Sequence, residues 1–245
     1  MSTPALAQNV KGKGRHYRHP VTEELLPSVT NVLQALSKPA LPRWAARTVA
    51  EQAWTLRESI AKLERDEAVD LLKGAPWRSS TRAASRGTNV HTLIEAMQIA
   101  EQWEDVHVDE VTAPYAVQVE KFLTTHDVQT HFTEVTLFGD GYAGTCDFVG
   151  TIDGKYVFAD WKTGKDLYPE VALQLSALKH ARLRVSDDEA HTLDTIPFPD
   201  ALVAVLFTEK GFKVREVADC YGTFRSLLDV WHWQNSGSPL SEWQP

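Results

Sequence analysis

The stretch FVGTIDGKYVFADWKTG, residues 148–164, holds two apolar runs joined by Asp153-Gly154. Asp-Gly between alternating apolar runs signals a two-residue hairpin turn. That loop pairs Ile152 with Lys155. Counting back, Thr151 faces Tyr156, Val149 faces Phe158 and Asp147 faces Asp160. Directly opposed residues share a face of the sheet, with β-carbons about 4.5–5.5 Å apart. Lys162 falls on that face one pleat further on. The opposite face reads as apolar, with Cys146, Phe148, Val157, Ala159 and Trp161.

Two opposed carboxylates repel, and burial makes the repulsion worse. A divalent cation between them removes the conflict. Mg²⁺ and Mn²⁺ favour carboxylate oxygens and keep waters for a phosphate ligand. Two alternatives stay open: Lys162 alone neutralises the pair, or the pair shares a proton. Asp140-Gly141 is a second turn signal. With Gly139 opposite Tyr142, Glu134 lands opposite Asp147, and three carboxylates stand in a row across three strands. A three-residue loop through Gly139 would instead leave Glu134 as an exposed strand glutamate. Lys162 beside such a row could orient metal-bound water, stabilise charge on an attacked phosphate, or act as a base if its pKa falls.

Upstream, Val90, Leu93, Ile94, Met97 and Ala100 form a helical apolar stripe. Gly87, His91 and Glu95 share one face beside it. His91 is either a ligand or a polar residue flanking the stripe. Glu95 is a ligand, a support for His91, or neither.

The rest of the chain sets the context. A hydrophobic fraction of 43% with eight tryptophans allows a sizeable core in 245 residues and argues against the disordered class. The start MSTPALAQNVKGKGR lacks the apolar run of a secretory signal. The longest apolar run, ALVAVLF at 201–207, is too short for a bilayer and suits a buried strand. A cytoplasmic protein with no membrane partner is expected. Two cysteines are too few for a disulfide framework, a four-cysteine zinc site or an iron–sulfur cluster. Net charge is −8, but residues 1–90 carry 14 Lys/Arg against 8 Asp/Glu, and residues 91–245 carry 11 against 25. A basic half and an acidic half suit an enzyme gripping phosphate with one and metal with the other; ordinary helix surfaces would also account for it.

The pattern predicts a mobile basic tail or phosphate-contacting arm in KGKGRHYRH, then a short helix in LPSVTNVLQAL. One long helix or two follow over 42–74, a loop over 75–81, and a helix from Ser80 or Thr81 to about Trp103. A helix over 113–125 precedes strands HFTEVTLF, YAGTCDFVGTI and KYVFADWKT. Pro169 opens a helix to about Arg184. Strands ALVAVLF and FKVREV, a last helix in DCYGTFRSLLDVWHWQ, and a loose tail complete the chain. The class is α/β with a mixed central sheet covered on both faces.

The order of RGTNVH (86–91) on a helix, TCDFVG with Asp147, ADWKTG with Asp160 and Lys162, and Gln174 on the next helix resembles the PD-(D/E)xK nuclease superfamily. It is most similar to the RecB-like exonuclease branch with its bacteriophage and CRISPR-associated members. The resemblance covers about residues 82–182; PSVTNVLQALSKPALPRWAA also looks like bacteriophage members. It implies a restriction-endonuclease-like core of helix, three-stranded antiparallel meander, helix and strand over 81–235. An N-terminal arm and helical extension over 1–80 would pack on that core, and a tail would follow over 236–245.

The resemblance implies a Mg²⁺- or Mn²⁺-dependent deoxyribonuclease without an iron–sulfur cluster. Asp147 and Asp160 would be ligands, with His91 from the helix, the Trp161 carbonyl as a further donor, and Glu134 as a fourth side chain from the register. Lys162 would be the catalytic lysine, and Gln174 would open a Gln-x-x-x-Tyr motif whose tyrosine position is Leu178 here. A satisfied helix polar residue is the alternative for Gln174. Arg78, Arg82 and Arg86, placed at the start of the catalytic helix, and Lys38 and Arg43 (with Arg47 in the same group) are candidate DNA contacts. Trp44 and Trp77 are candidates for base stacking. DNA ends are the expected substrate, and a second copy or replication and recombination proteins are candidate partners. Two rivals remain: an endonuclease with the same site, and a non-catalytic nucleic-acid-binding subunit of the same fold.

Overall fold

The computed structural model describes residues 4–100, 102–186 and 192–237. The chain divides into two compact units: Met1–Leu36 with Val90–Pro245, and Ser37–Asn89.

The larger unit is built on a seven-stranded sheet. Its strands are β4 (Val128–Gly139), β5 (Tyr142–Ile152), β6 (Lys155–Thr163), β7 (Leu183–Val185), β8 (Leu193–Thr195), β9 (Ala201–Thr208) and β10 (Gly211–Val217), in the spatial order β10-β9-β6-β5-β4-β7-β8. The pair β6–β9 is parallel and the other pairings are antiparallel. β4–β5–β6 is the meander that the two Asp-Gly turns demand. Gly139 pairs with Tyr142, and Ile152 with Lys155. A parallel neighbour needs a crossover; here the chain leaves β6, forms α7 (Glu170–His180), adds β7 and β8, and returns as β9.

Helices cover both faces. On one, α1 (Val29–Val32), α7 and α8 (Tyr221–Asn235) bring Val32, Leu175, Leu178, Phe224 and Leu228 against Leu137, Val149, Phe158 and Ala204. On the other, α6 (Ala113–Thr125) and the core-unit part of α5 (Ala75–Ile99) bring Val90, Ile94, Val119 and Phe122 against Phe148, Trp161, Val205 and Phe207. β9 is wanted apolar on both sides, which is why ALVAVLF is a continuous hydrophobic run. No helix among the described residues is long and apolar enough to cross a membrane.

The N-terminus departs from the expected tail. Residues Ala7–Val10 (β1), Gly14–Arg18 (β2) and Leu25–Pro27 (β3) form a three-stranded antiparallel sheet. Tyr17 and Leu26 pack with Phe138, Ala143 and Val185 in a small core, and a bridge joins Ser28 to Ala143. That burial makes Met1–Leu36 part of the core unit. The helical extension is therefore the separate unit Ser37–Asn89: α2 (Ala40–Thr55), α3 (Arg57–Ile60), α4 (Arg65–Lys73) and the first part of α5. The expected loop at 75–81 is helical. Gly74 closes α4, and Pro76 lies in the first turn of α5, where its missing N–H costs nothing. A domain boundary at 80/81 thus falls inside α5. The expected tail lies outside the described residues from 238 onward.

Gly150 marks where the sheet is tightest. A β-carbon there would fall inside the van der Waals envelope of the Gln129 carbonyl oxygen, beside the irregularity between Thr130 and Phe132. Backbone cannot swing aside as a side-chain tip can. Gly150→Ala is expected to cost about 1–3 kcal/mol or more, measured as a lowered midpoint in urea unfolding. Gly154→Ala, with nothing near its β-carbon but a φ of +78°, is expected to cost less, about 1–2 kcal/mol.

Candidate metal centre

The hairpin ladder runs from Ile152↔Lys155 to Phe148↔Ala159. At the next step Asp147 does not simply face Asp160. Its Oδ2 accepts a hydrogen bond from the Trp161 N–H at 2.9 Å, taking a backbone partner's place. The alternation of β5 breaks here. Cys146 packs with Val149 and Phe158 rather than with Phe148, which corrects its assignment to the Phe148 face.

On the other side of β5, Glu134 falls between the pairs Thr133↔Phe148 and Val135↔Cys146, opposite Asp147. Its φ is +49°, a left-handed backbone in the middle of a strand. Such strain persists only where surroundings enforce it. His91, from α5, places Nδ1 3.6 Å from Asp147 Oδ2. One ligand atom from each of His91, Glu134 and Asp147 lies within 4.8 Å of the others, and all three side chains are half-buried.

Asp160 is 1% exposed and faces α7. Its Oδ1 accepts from Lys162 Nζ at 2.7 Å and from Gln174 Nε2 at 2.6 Å, while Lys162 Nζ also donates to Gln174 Oε1 at 3.2 Å. Asp160 Oδ2 lies 2.6 Å from Lys162 Nζ. It receives no aligned hydrogen bond and is buried.

The electrostatics follow from crowding. Burial pushes the Glu134 carboxyl up to about 8, and Asp147 and Glu95 add to the rise. Burial likewise raises Asp160 to about 6; Lys162 opposes this, Asp147 adds to it, and His91 opposes it. For Lys162, burial favours the neutral amine, but Asp160 and Asp147 outweigh it and the pKa rises. The ammonium is therefore held charged in the metal-free protein.

This donor set fits a divalent cation. It offers one imidazole and hard carboxylate oxygens, it is strained by its own charge, and it leaves a buried Asp160 oxygen without an aligned donor. Asp160 stands beside the three-residue cluster, turned toward Lys162 and Gln174 rather than within it. Leu178 is 1% exposed, and a β-carbon on Gly144 would meet its Cδ2 at 2.9 Å. It is a packing residue of the core on that face. Cys146 and Cys220 are free thiols.

The proposed DNA contacts lie in the helical unit. Arg78 lies in the first turn of α5, and its guanidinium donates to the Leu71 carbonyl at 2.6 Å, covering the C-terminal end of α4. Arg82 and Arg86 follow at four-residue steps along α5, so they share a helix face rather than flank its N-terminus. Both are exposed, as are Lys38 and Arg43. Arg82 shares a cavity of about 210 Å³ with Glu51, Gln52 and Arg78. Trp77 is 77% and Trp44 38% exposed.

Sequence reading missed one charged neighbour of the centre. Arg15, in the segment read as a tail or arm, carries a positive charge that lowers the Glu134 carboxyl and the Tyr17 hydroxyl against the rise burial gives them. GRHYR shows no clean alternation, since the neighbours His16 and Tyr17 are both buried, so the strand carried no local signal. In comparisons with known proteins, the chain matches no family model and no curated protein.

Glu134 ionises near 4.5 when unfolded and near 8 in the fold. Its contribution to stability is full below the lower value and is lost as pH rises through the upper one. Metal-free protein in EDTA is expected to melt at falling temperature from pH 5 to pH 9, with Asp160 adding to the early part of the fall. Glu134→Gln should flatten the slope. Saturating Mn²⁺ should reverse it, because cation binding needs the ionised carboxylates. Scanning calorimetry across that range checks all three.

Proposed function

We propose that the protein is a metal-dependent DNA nuclease of the PD-(D/E)xK class, acting as an exonuclease on DNA ends. The observation that carries this reading is the convergence of Asp147, Asp160 and Lys162 in one meander, with His91 supplied by a helix on one side and Gln174 by a helix on the other. A pure binding module has no need to bury carboxylates against one another.

His91, Glu134 and Asp147 would hold Mg²⁺ or Mn²⁺, with Asp160 Oδ2, which is ion-paired with Lys162, as a further donor. When bound, the cation neutralises phosphate charge and acidifies a water. Asp147 is held in place by the Trp161 N–H. Gln174 bridges Asp160 and Lys162, fixing the ammonium two residues along β6 from the carboxylate it serves. Lys162, kept protonated by Asp160, would donate to a nonbridging phosphate oxygen and stabilise the charge that builds during in-line attack. Apolar packing of Trp161 and Phe148 behind the centre keeps the backbone from relaxing as charge develops.

The test is cleavage of end-labelled linear DNA with Mg²⁺, Mn²⁺ or EDTA, with a covalently closed circle as control. Metal-dependent loss of the linear substrate, with the circle spared, is expected. Lys162→Ala should lower the rate by at least ~10²-fold while the fold is kept. Cutting of the circle would make the enzyme an endonuclease. DNA binding without cleavage under either metal would overturn the catalytic reading in favour of a binding subunit.

A further inference from the structure

The N-terminal sheet does more than cover the core. We propose that the β1–β2 hairpin is a phosphate grip, in which Arg15 binds the backbone phosphate next to the one at the His91–Glu134–Asp147 centre and Lys13, from the hairpin turn, adds a second cation to the same strand. This rests on the nuclease reading of that centre and adds to it where the DNA strand runs.

Direction and register place these cations. Ser28 bridges Ala143 in parallel, so β3 runs with β5. β2 is antiparallel to β3, with His16 opposite Pro27, and so runs against β5. Tyr17 fixes the alignment: its hydroxyl lies 2.8 Å from Thr145 Oγ1. Moving back along β2 from Tyr17 to Arg15 therefore moves forward along β5 from Thr145 toward Asp147. Residues two apart on a strand project to the same side. Arg15 thus points as Tyr17 does, while Lys13 lies in the turn that precedes β2. Thr145 pairs with Thr136, two residues from Glu134, and the charge of Arg15 acts on the Glu134 carboxyl.

The hairpin is held rigidly enough to serve. Asn31, itself buried, donates from Nδ2 to the carbonyls of Lys13 and Arg15, each at 2.7 Å. The Ser28 N–H donates to the same Arg15 carbonyl at 3.1 Å. Gly14 has φ +74°, and a β-carbon there would meet Asn31 Oδ1 at 2.6 Å. The backbone is pinned while the side chains of Lys13 and Arg15 stay exposed. A guanidinium offers a planar fork that matches phosphate oxygens. The acidic centre repels the rest of a polyanion, so a fixed cation at its rim is what a strand needs to approach.

The competing role for Arg15 is neutralising Glu134, and the two roles separate in the measurements. Full-length protein is titrated into a fluorescein-labelled 20-nucleotide single strand in EDTA at several salt concentrations, and steady-state cleavage is followed in Mn²⁺. Arg15→Ala should raise Kd and KM ~10-fold, leave kcat within ~2-fold, and reduce the slope of log K against log salt by about 1. Arg15→Lys should recover part of the loss, and Arg15→Glu and Lys13→Glu should deepen it. Unchanged Kd, KM and slope, or a change confined to Mn²⁺ affinity, overturns the grip. If wild type binds the strand but cleaves nothing, the nuclease reading fails, and the Arg15 dependence of binding still decides the grip. If wild type does not bind the strand, the grip is overturned.

Discussion

Carboxylate repulsion midway along β4 and β5, beside the last residues of β6, is the constraint around which the core unit is arranged. Glu134, Asp147 and Asp160 come from three adjacent strands, and Glu95 adds its charge from α5. Apolar helices on both faces remove the water that would otherwise screen them. Each carboxylate is relieved differently. Glu134 keeps a proton, Asp147 takes a backbone N–H and a histidine neighbour, and Asp160 takes Lys162 and Gln174. None of these is full compensation, since one Asp160 oxygen stays buried without an aligned donor. A centre of this kind is held together by its surroundings, and its donors could take a cation.

The surroundings are correspondingly stiff. Tyr142 donates from its hydroxyl to the Ala177 carbonyl at 2.9 Å, tying β5 to α7 one turn from Gln174. Gly144 lets Val29 and Leu178 approach the same strand, since a β-carbon there would meet both at 2.9 Å. These contacts set the height of α7 over the sheet, and with it the reach of Gln174 to Asp160. Leu178 is apolar on the same ground: it faces Gly144 and the core, where a hydroxyl would need a partner of its own.

Much of the core was legible because local and global signals agreed. Two Asp-Gly turns set both registers of the meander, the stripe Val90–Leu93–Ile94–Met97 set the buried side of α5, and the continuous apolar run of β9 announced burial on both faces. The centre was legible as far as strand register carries it, which brings Asp147 and Asp160 to one end of the hairpin and Glu134 beside them. Register does not carry side-chain choices. That Asp147 would bond the Trp161 N–H, and that Cys146 would leave the Phe148 face, depends on a local break of the ladder with no residue signature. β7 and β8 were too short to show a period, and that Arg78 would bond the Leu71 carbonyl at the end of α4 carries no signal in the sequence. The N-terminal strands were hidden by their composition, since Lys, Gly, Arg and His read as solvent-loving in any conformation. Their fold is decided at long range, by Tyr17 reaching β5.

That long-range contact joins fold and site. Ser28 caps α1 by accepting from the Asn31 N–H at 3.1 Å, and Asn31 then holds the β1–β2 hairpin through two carbonyls. A single turn, Ser28 to Asn31, therefore fixes at once the first helix on the α7 face, the bridge to β5, and the path of the basic strand. Val29 and Val32, in the same turn, are buried in the core that carries α7. Loosening the turn would release the hairpin and unseat the α7 layer together. Such coupling explains why a segment with so little apolar surface of its own is ordered. Its ordering entropy is met by the core it helps close, rather than by contacts within the hairpin.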